Sequence, residues 1–451
     1  MERLIVIGGD AAGMSAASQA RRRRPVEELE IVAFERGEHT SYAACGLPYF
    51  VAGLVPSSER LVARSPEQHR ANGIDVRTRH EVVAIDTSAQ SVRVRDLTTA
   101  NERDESYDEL VIATGSVPLR PPLPNVDAPG VFGIQTIGDG VVLDAWLRER
   151  SPRSAVVVGG GYIGLEMAEA MQRLGIATAL VERLPQPMST MDADMGALVA
   201  DALQAIGVEL HLETGVDGFV TGSDGEICAV ATEAGELAAD VVVLGLGVKP
   251  NSKLAREAGV PLGVRDGIVV DDRMHTGVDG VWAAGDCVIS RHRVTDQPVV
   301  IALGTHANKQ GRVLGTNVTG GALRFPGVIG TAVTKICEYE VARTGLTERE
   351  AEAAGFDAVA ATIEGSTRAH YYPGAQPITV KCVAARGTAK LLGAQIVGRE
   401  GAAKRIDVMA AAIWNEMTAD DLAQMDLGYA PPFSPVWDPV LIAARKAAEL
   451  T

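Results

Sequence analysis

Cysteine is scarce: the 451 residues contain five (Cys45, Cys228, Cys287, Cys337 and Cys382), an odd number, widely spaced, with no Cys-x-x-Cys pair. A disulfide framework and a zinc site are thereby disfavoured, and no metal is expected. Long apolar runs are missing too. Nothing approaches the ~18 consecutive apolar residues of a spanning helix, so no membrane contact is expected. Basic charge is in deficit, with 42 Lys and Arg against 58 Asp and Glu and a formal net charge of −16; a nucleic-acid surface would need the opposite sign. An export signal fails on order. Asp10 interrupts the apolar start, and Arg21-Arg22-Arg23-Arg24 follows it instead of preceding it. These absences predict a cytoplasmic protein. What is plentiful is glycine, 48 residues in a chain 46% hydrophobic, the composition of a glycine-punctuated α/β protein long enough for about three domains.

The glycines fall in patterns. Leu4 to Ile7 reads as a short strand that enters Gly8-Gly9-Asp10-Ala11-Ala12-Gly13, and Met14 to Arg24 reads as a helix stopped by Pro25. Strand, glycine turn and helix make a dinucleotide-binding unit, since the turn admits a pyrophosphate to the backbone and the helix N-terminus favours its charge. Asp10 stands where the usual middle glycine would be. A second strand, Glu30 to Phe34, closes on Glu35, 22 positions after Gly13, near the ~20-residue offset at which a carboxylate holds a ribose hydroxyl. The same grammar returns with all three glycines in register: Gly159, Gly161 and Gly164 follow the strand Ala155 to Val158, and Glu182 ends the strand Thr178 to Val181. Two dinucleotide sites are therefore expected. A carboxylate at Glu182 favours NADH over NADPH, although Arg183 beside it leaves NADPH open.

Two further strands frame these units. One runs through Leu110-Val111-Ile112-Ala113 to Thr114-Gly115, and another, Gly280 to Asp286, delivers a carboxylate at its carboxyl end, where open α/β sheets bind ligands. Pro118 to Pro129 reads as a hinge into the second unit and Lys249-Pro250-Asn251 as the return. After about Phe325 the glycine grammar stops; short strands such as Ile378 to Val383 and Leu391 to Val397 precede a helix-rich tail. The predicted fold class is α/β, with two Rossmann-like units (1–118 with 250–324, and 119–249) and a C-terminal α+β domain (325–451). Within the first unit lies Ser41-Tyr42-Ala43-Ala44-Cys45-Gly46-Leu47-Pro48-Tyr49, in which a cysteine among small residues is followed by glycine and a turn-fixing proline. A lone cysteine is usually a small buried hydrophobe; this one is packaged for approach from one side.

Taken together, the two fingerprints, Ala113-Thr114-Gly115, Ala284-Gly285-Asp286 and the cysteine just past Glu35 resemble the pyridine nucleotide-disulfide oxidoreductases over essentially the whole chain. The Cys45 segment, His370-Tyr371-Tyr372-Pro373-Gly374 and Tyr429-Ala430-Pro431-Pro432-Phe433-Ser434 are similar to the coenzyme A disulfide reductase branch. That resemblance implies FAD on Gly8, Gly13, Glu35, Thr114, Gly115 and Asp286, and nicotinamide dinucleotide on Gly159, Gly161, Gly164 and Glu182, with Tyr162 covering the flavin. It implies a homodimer with a shared active site in which Cys45 is the redox thiol and Tyr371 and Tyr429 of the partner subunit protonate the leaving thiolate. It also implies coenzyme A contacts at Ser15, Gln19, Arg22, Ser41 and His306. Ser15, Gln19 and Arg22 fall at i, i+4 and i+7, on one helical face; the alternative for the arginines is that they complement a helix C-terminus. Ala44 replaces a frequent asparagine of that branch.

With no second cysteine near Cys45, oxidising equivalents must be held as a mixed disulfide with a small thiol or as a sulfenic acid. Ala11 stands where the peroxidase and oxidase branch carries a histidine, which favours the mixed disulfide. The preferred reading is an FAD-dependent NAD(P)H:disulfide oxidoreductase acting on coenzyme A disulfide or a related persulfide. The chain stops at Thr451 without a sulfurtransferase domain, which favours the simple disulfide. An NADH oxidase reducing oxygen and a non-catalytic flavoprotein redox sensor are the alternatives.

Overall fold

A computed structural model describes the chain from Met1 to Thr451. Two five-stranded sheets, each wholly parallel, carry the dinucleotide-type units. The first is ordered Val281–Ala283, Glu109–Ile112, Glu2–Ile7, Leu29–Glu35, Asp75–Thr78; the second is ordered Val131–Gly133, Val241–Leu244, Ser154–Val158, Ala177–Val181, Glu209–His211. Their central strands are uninterrupted apolar runs because both faces are covered, one by helices and the other by a three-stranded antiparallel sheet: Leu4, Ile5 and Val6, like Val156 and Val157, are fully buried. In each sheet the order reverses beside the strand that feeds the glycine turn, which is where such sheets bind ligands.

The sheets differ in how the chain reaches the edge strand beyond the reversal point. In the first unit that strand, Val281–Ala283, comes last; in the second, Val131–Gly133 comes before the glycine-turn strand. The chain crosses between units through an antiparallel pair, Ser116–Pro118 with Val248–Pro250. Asn251 reinforces the crossing: its N–H donates to Gly115 O at 2.9 Å, and its carbonyl accepts from Thr114 Oγ1 at 2.6 Å. Thr114, read as a cofactor contact, therefore spends its hydroxyl on the crossover.

The first helix spans Ala11–Arg23, three residues earlier than the sequence predicts. Asp10 is extended (φ −111°, ψ −153°) and stands at its N-cap position, so the small residues Ala11 to Gly13 already wind into the first turn. Gly13 must be small there, because a Cβ would lie 2.0 Å from Gly8 O. Helix Gly304–Asn317 packs on this helix at backbone contact: a Cβ on Gly311 or Gly315 would come within 2.3 Å of Ala12 O or Ala16 O. The strand before Asp286 is only Val281–Ala283; the chain turns away at Gly285, whose φ of +92° suits glycine alone.

The C-terminal unit is an antiparallel sheet ordered Ala332–Ile336, Tyr339–Gly345, Leu391–Gly398, Pro377–Ala385, Ala358–Ser366. Helices Ala402–Trp414, Ala419–Ala423 and Pro439–Ala448 share a core with it. It docks on the second unit through buried Lys381, whose Nζ lies 2.9 Å from Asp194, 3.2 Å from Glu348 and 3.4 Å from Asp192. Two three-stranded antiparallel sheets, His80–Asp86 to Glu102–Ser106 and Val216–Thr221 to Gly235–Ala238, complete the fold and are not anticipated by the sequence reading. No helix is long and apolar enough to cross a membrane.

Candidate functional site

The two glycine turns are built alike atom for atom where it matters. Gly8 (φ +111°) and Gly159 (φ +103°) occupy conformations that L side chains avoid, and a Cβ on either would collide with Ala113 O at 2.1 Å or Gly245 O at 2.6 Å. Gly164 repeats the helix-to-turn contact of Gly13, with a Cβ 1.9 Å from Gly159 O, while Gly161 has no such neighbour closer than 4.0 Å. That leaves its backbone open to a ligand. The acidic strand ends are also held identically. Glu35 accepts from Gly9 N at 2.8 Å and Gly37 N at 2.7 Å; Glu182 accepts from Gly160 N at 2.8 Å and Leu184 N at 2.9 Å. Each carboxylate is aimed across its glycine turn with lone pairs left for hydroxyl donors, a donor set that fits a ribose.

Asp10 is the residue that sequence reasoning undervalued. It does not disturb the turn; its Oδ1 accepts from Tyr42 N at 3.1 Å, tying the cysteine loop to the first helix. Burial, with Glu35 and Asp286 nearby, pushes its carboxyl up to about 6. Asp286, at the end of its strand, accepts from Ser116 Oγ at 3.3 Å, and burial raises its carboxyl as well. Acidic acceptors thus converge on the carboxyl edge of the first sheet, suited to the hydroxyls of a polyol.

Cys45 lies in a single 3-10 turn, Ala44–Gly46, that runs straight into the short helix Leu47–Val51. Pro48 sits near the start of that helix, where its missing N–H costs nothing. Leu47, Phe50 and Val51 bury into the core that also holds Leu165 and Met167 of the second unit, so the loop is anchored between units. Cys45 is an exposed residue, yet enough protein crowds its thiol that desolvation, and then the carboxylates of Glu166 and Asp286, push it above its ordinary range. Glu166 was not singled out by sequence. It lies four residues after Tyr162 on helix Tyr162–Arg173, accepts from Thr334 Oγ1 of the C-terminal unit at 2.8 Å, and is raised by burial to about 7. Tyr162, at the first position of that helix, is also raised by burial.

Ser15, Gln19 and Arg22 do share a face of the first helix, the one turned to helix Gly304–Asn317. Ser15 Oγ donates to Asn308 Oδ1 at 2.8 Å, and Gln19 Nε2 donates to Thr316 Oγ1 at 3.1 Å. Arg22 is exposed and reaches only Gln19 Oε1, at 3.3 Å. The four arginines divide their work. Arg21 donates to the carbonyls of Gly73, Arg24 and Leu29 and Arg24 pairs with Glu2, which are structural duties; Arg22 and Arg23 face solvent. His306, in the first turn of the second helix, is half-buried, and desolvation lowers its imidazole to about 4. Ser41 lies at the other end, its N–H on Gly9 O at 3.0 Å and its Oγ 3.0 Å from His69 Nε2.

Tyr371 and Tyr429 both stand at the surface. They are 67% and 47% exposed, and Phe433 (76%) and Trp437 (52%), aromatics close to Tyr429 in sequence, are exposed too. The structure brings them together with each other, and the neighbouring Tyr371 side chain raises the Tyr429 phenol. No group of His, Cys, Asp and Glu has the geometry of a metal site.

Comparison with known proteins fits this geometry. Residues 2–311 match the model of the pyridine nucleotide-disulphide oxidoreductase family, and residues 331–439 match the dimerisation domain of the same family. The chain is 40% identical over 446 residues to an NAD(P)H sulfur oxidoreductase (CoA-dependent) of Pyrococcus abyssi, covering 98% of this chain and 97% of the relative. Among solved structures, an NAD-dependent persulfide reductase from A. fulgidus superposes with a TM-score of 0.95 at 38% identity, covering 99% of this chain and 83% of that one. Reduced CoADR-RHD of Bacillus anthracis does so with a TM-score of 0.95 at 35% identity, covering 99% and 80%.

Proposed function

This chain belongs to the pyridine nucleotide-disulphide oxidoreductase family, and from that premise we propose that it is a flavin-dependent reductase that uses NAD(P)H to reduce coenzyme A disulfide or a coenzyme A persulfide through the single thiol of Cys45. The observation that carries the reading is the position of Cys45. An exposed cysteine, with no second cysteine beside it, stands on a loop pinned to the first glycine turn by Asp10 and packed against the second unit.

FAD fits the first unit: Gly8 and Gly13 form a cradle that a Cβ would fill, and Glu35 and Asp286 supply acceptors for its hydroxyls. The nicotinamide dinucleotide fits the second, on Gly159, Gly161, Gly164 and Glu182. Bound there, the pair supplies two-electron relay from nicotinamide to sulfur. The protein's own part is thiol chemistry. The Cys45 thiolate attacks one sulfur of the incoming disulfide; a sulfur–sulfur bond forms to Cys45, the original one breaks, and the departing thiolate takes a proton. Two electrons and a proton from NAD(P)H then return Cys45 to the reduced state and release the second thiol.

A second subunit completes the site in this reading. One chain leaves the aromatics Tyr371, Tyr429, Phe433 and Trp437 uncovered, an exposure of the kind that marks an interaction face. In the dimer, Tyr371 and Tyr429 of the partner subunit stand over Cys45. Their phenols are the groups that protonate the leaving thiolate. Coenzyme A runs over the surface where helices Ala11–Arg23 and Gly304–Asn317 meet, with Arg22 as the cation for its phosphates and Ser15, Gln19, Ser41 and His306 along its length.

The test is anaerobic. NADH oxidation is expected to depend on coenzyme A disulfide and to yield two thiols per NADH. Cys45→Ser, retaining FAD, is expected to lose that turnover by at least about 10³-fold while NADH still bleaches the flavin. Turnover that persists in this variant, or that needs oxygen in the wild type, refutes the proposal.

A further inference from the structure

Ser41 is a strained residue. Its φ of +48° lies in the left-handed region, which costs a non-glycine side chain roughly 1 kcal/mol or more. Glycine would relieve that cost, so the hydroxyl has a use. The loop around it is fixed on three sides: Ser41 N–H donates to Gly9 O at 3.0 Å, Ser41 O accepts from Ala63 N at 2.8 Å, and Tyr42 N–H donates to Asp10. The fourth restraint is His69, on helix Pro66–Ala71, with Nε2 at 3.0 Å from Ser41 Oγ.

The direction of that last hydrogen bond follows from the other ring nitrogen. His69 is 1% exposed, and its Nδ1 is buried with no partner in the protein. A neutral imidazole carries one proton. Placing it on Nδ1 buries a donor with no acceptor, the costlier kind of orphan; placing it on Nε2 pairs it with Ser41. The ring stays neutral, since burial and the nearby Arg64 charge lower it to about 4.

We propose that His69 is a positioning residue which, by donating from Nε2 to Ser41 Oγ, turns the Ser41 hydroxyl into an obligatory donor toward an acceptor oxygen of the substrate's thiol arm. This rests on the proposed reduction of coenzyme A disulfide and extends it to a residue outside the family motifs. The arm offers amide carbonyls, a hydroxyl and phosphates as acceptors; of these, pantethine lacks only the phosphates.

The holoenzyme of His69→Leu is expected to show a KM for coenzyme A disulfide raised about fivefold, with kcat within twofold of wild type. His69→Gln, which keeps an N–H near the Nε2 position, is expected to restore most of the KM. Ser41→Gly, whose backbone accepts the positive φ, is expected to raise KM to the same extent, and the double variant no further. With pantethine, an equal KM effect assigns the oxygen to the pantetheine portion and no effect assigns it to a phosphate. An unchanged KM in His69→Leu, or a double variant in which the two effects multiply, overturns the proposal. If wild type fails to reduce coenzyme A disulfide, the parent reading fails instead. Nitrogen-15 spectra of the labelled holoenzyme, with the His69 signal assigned by its loss in His69→Gln, then decide independently: a protonated Nδ1 rejects the inference whatever the substrate.

Discussion

Replacing Lys381 by Met tests how the second unit is held on the C-terminal unit. The lysine side chain is 6% exposed and faces Asp192 (9%), Asp194 (47%) and Glu348 (41%). Removing one partner of a buried ion pair costs about 3–5 kcal/mol because the other charge is stranded. Only Asp192 is stranded in that sense; the half-exposed Asp194 and Glu348 contribute about 0–1 kcal/mol each. Asp192 also keeps hydrogen bonds from Gln395 Nε2 at 2.5 Å and Glu348 N at 3.1 Å. The expected loss is therefore about 3 kcal/mol, the lower end of the range for a buried pair. Hydrogen exchange at the amides of helix Ala193–Ala205 reads this opening without assuming that three units unfold together, and exchange there should accelerate by about 10²-fold. Asp192→Asn in the Lys381→Met background should recover at least half of the loss. The pH signs are separable. Lys381 is held above its ordinary 10.5, so its contribution is complete below that value and is lost only as pH rises through the higher folded one. Asp194 is held below its ordinary 3.8, so its contribution is present above that value and fades as pH falls through the lower one. The loss should therefore be flat from about pH 5 to pH 9. Exchange that accelerates less than about fivefold, or a double variant worse than the single, would refute the reasoning.

Glu182→Ala should lower kcat/KM for NADH by about 10- to 100-fold, the range for a hydrogen bond to a charged group, and should hurt NADPH less because the carboxylate that repels a 2′-phosphate is gone while Arg183 stays. Steady-state kinetics with both nucleotides check this, and an equal loss for both would show that Glu182 only braces the turn at Gly160. Asp10 supplies a pH prediction with a definite sign. Its folded value of about 6 against an ordinary 3.8 means that the folded chain binds the proton more tightly, so stability falls as pH rises through that window, by about 2–3 kcal/mol at most. Asp10→Asn mimics the neutral form, so its melting temperature in flavin-depleted protein should gain on wild type between pH 4 and pH 6.5 and then run parallel; a constant difference across that range would contradict the assignment.

The parallel sheets and glycine turns were legible because their causes are local. Gly13 and Gly164 each touch a carbonyl only five residues back, and that contact dictates the spacing a reader can see. The antiparallel small sheets were not legible, since Glu102–Ser106 (Glu-Arg-Asp-Glu-Ser) has no apolar alternation and is held by charge pairs such as Arg93 with Asp104 and Arg95 with Glu102. The same division runs through the candidate site. Cys45, Glu35 and Glu182 stand at readable offsets from a motif. Asp10 looked like a flaw in a motif because its partner, Tyr42, is 32 residues away. His69 and Glu166 are defined by contacts to Ser41 and Thr334 that no spacing rule announces.

The charge around Cys45 bears on why one sulfur suffices. A reactive cysteine is ordinarily activated by a nearby cation or a helix N-terminus that stabilises the thiolate. Here the charged groups acting on Cys45 are carboxyls, Glu166 and Asp286 first and then Asp10, and the thiol is raised. In the chain by itself, then, the sulfur is kept as a thiol, the form that reacts slowly with peroxides and alkylating agents. A thiolate forms in such a place only when something else in the site takes up its charge. Burial raises Glu166 itself to about 7 while the hydroxyl of Thr334, donating to the carboxylate, pulls the other way, so near neutral pH the group is partly protonated and its opposition to the thiolate is set by the balance of the two. The second and C-terminal units, which supply Glu166 and Thr334, thus set the reactivity of a cysteine that belongs to the first, and activation of the sulfur becomes conditional on all three being assembled around it.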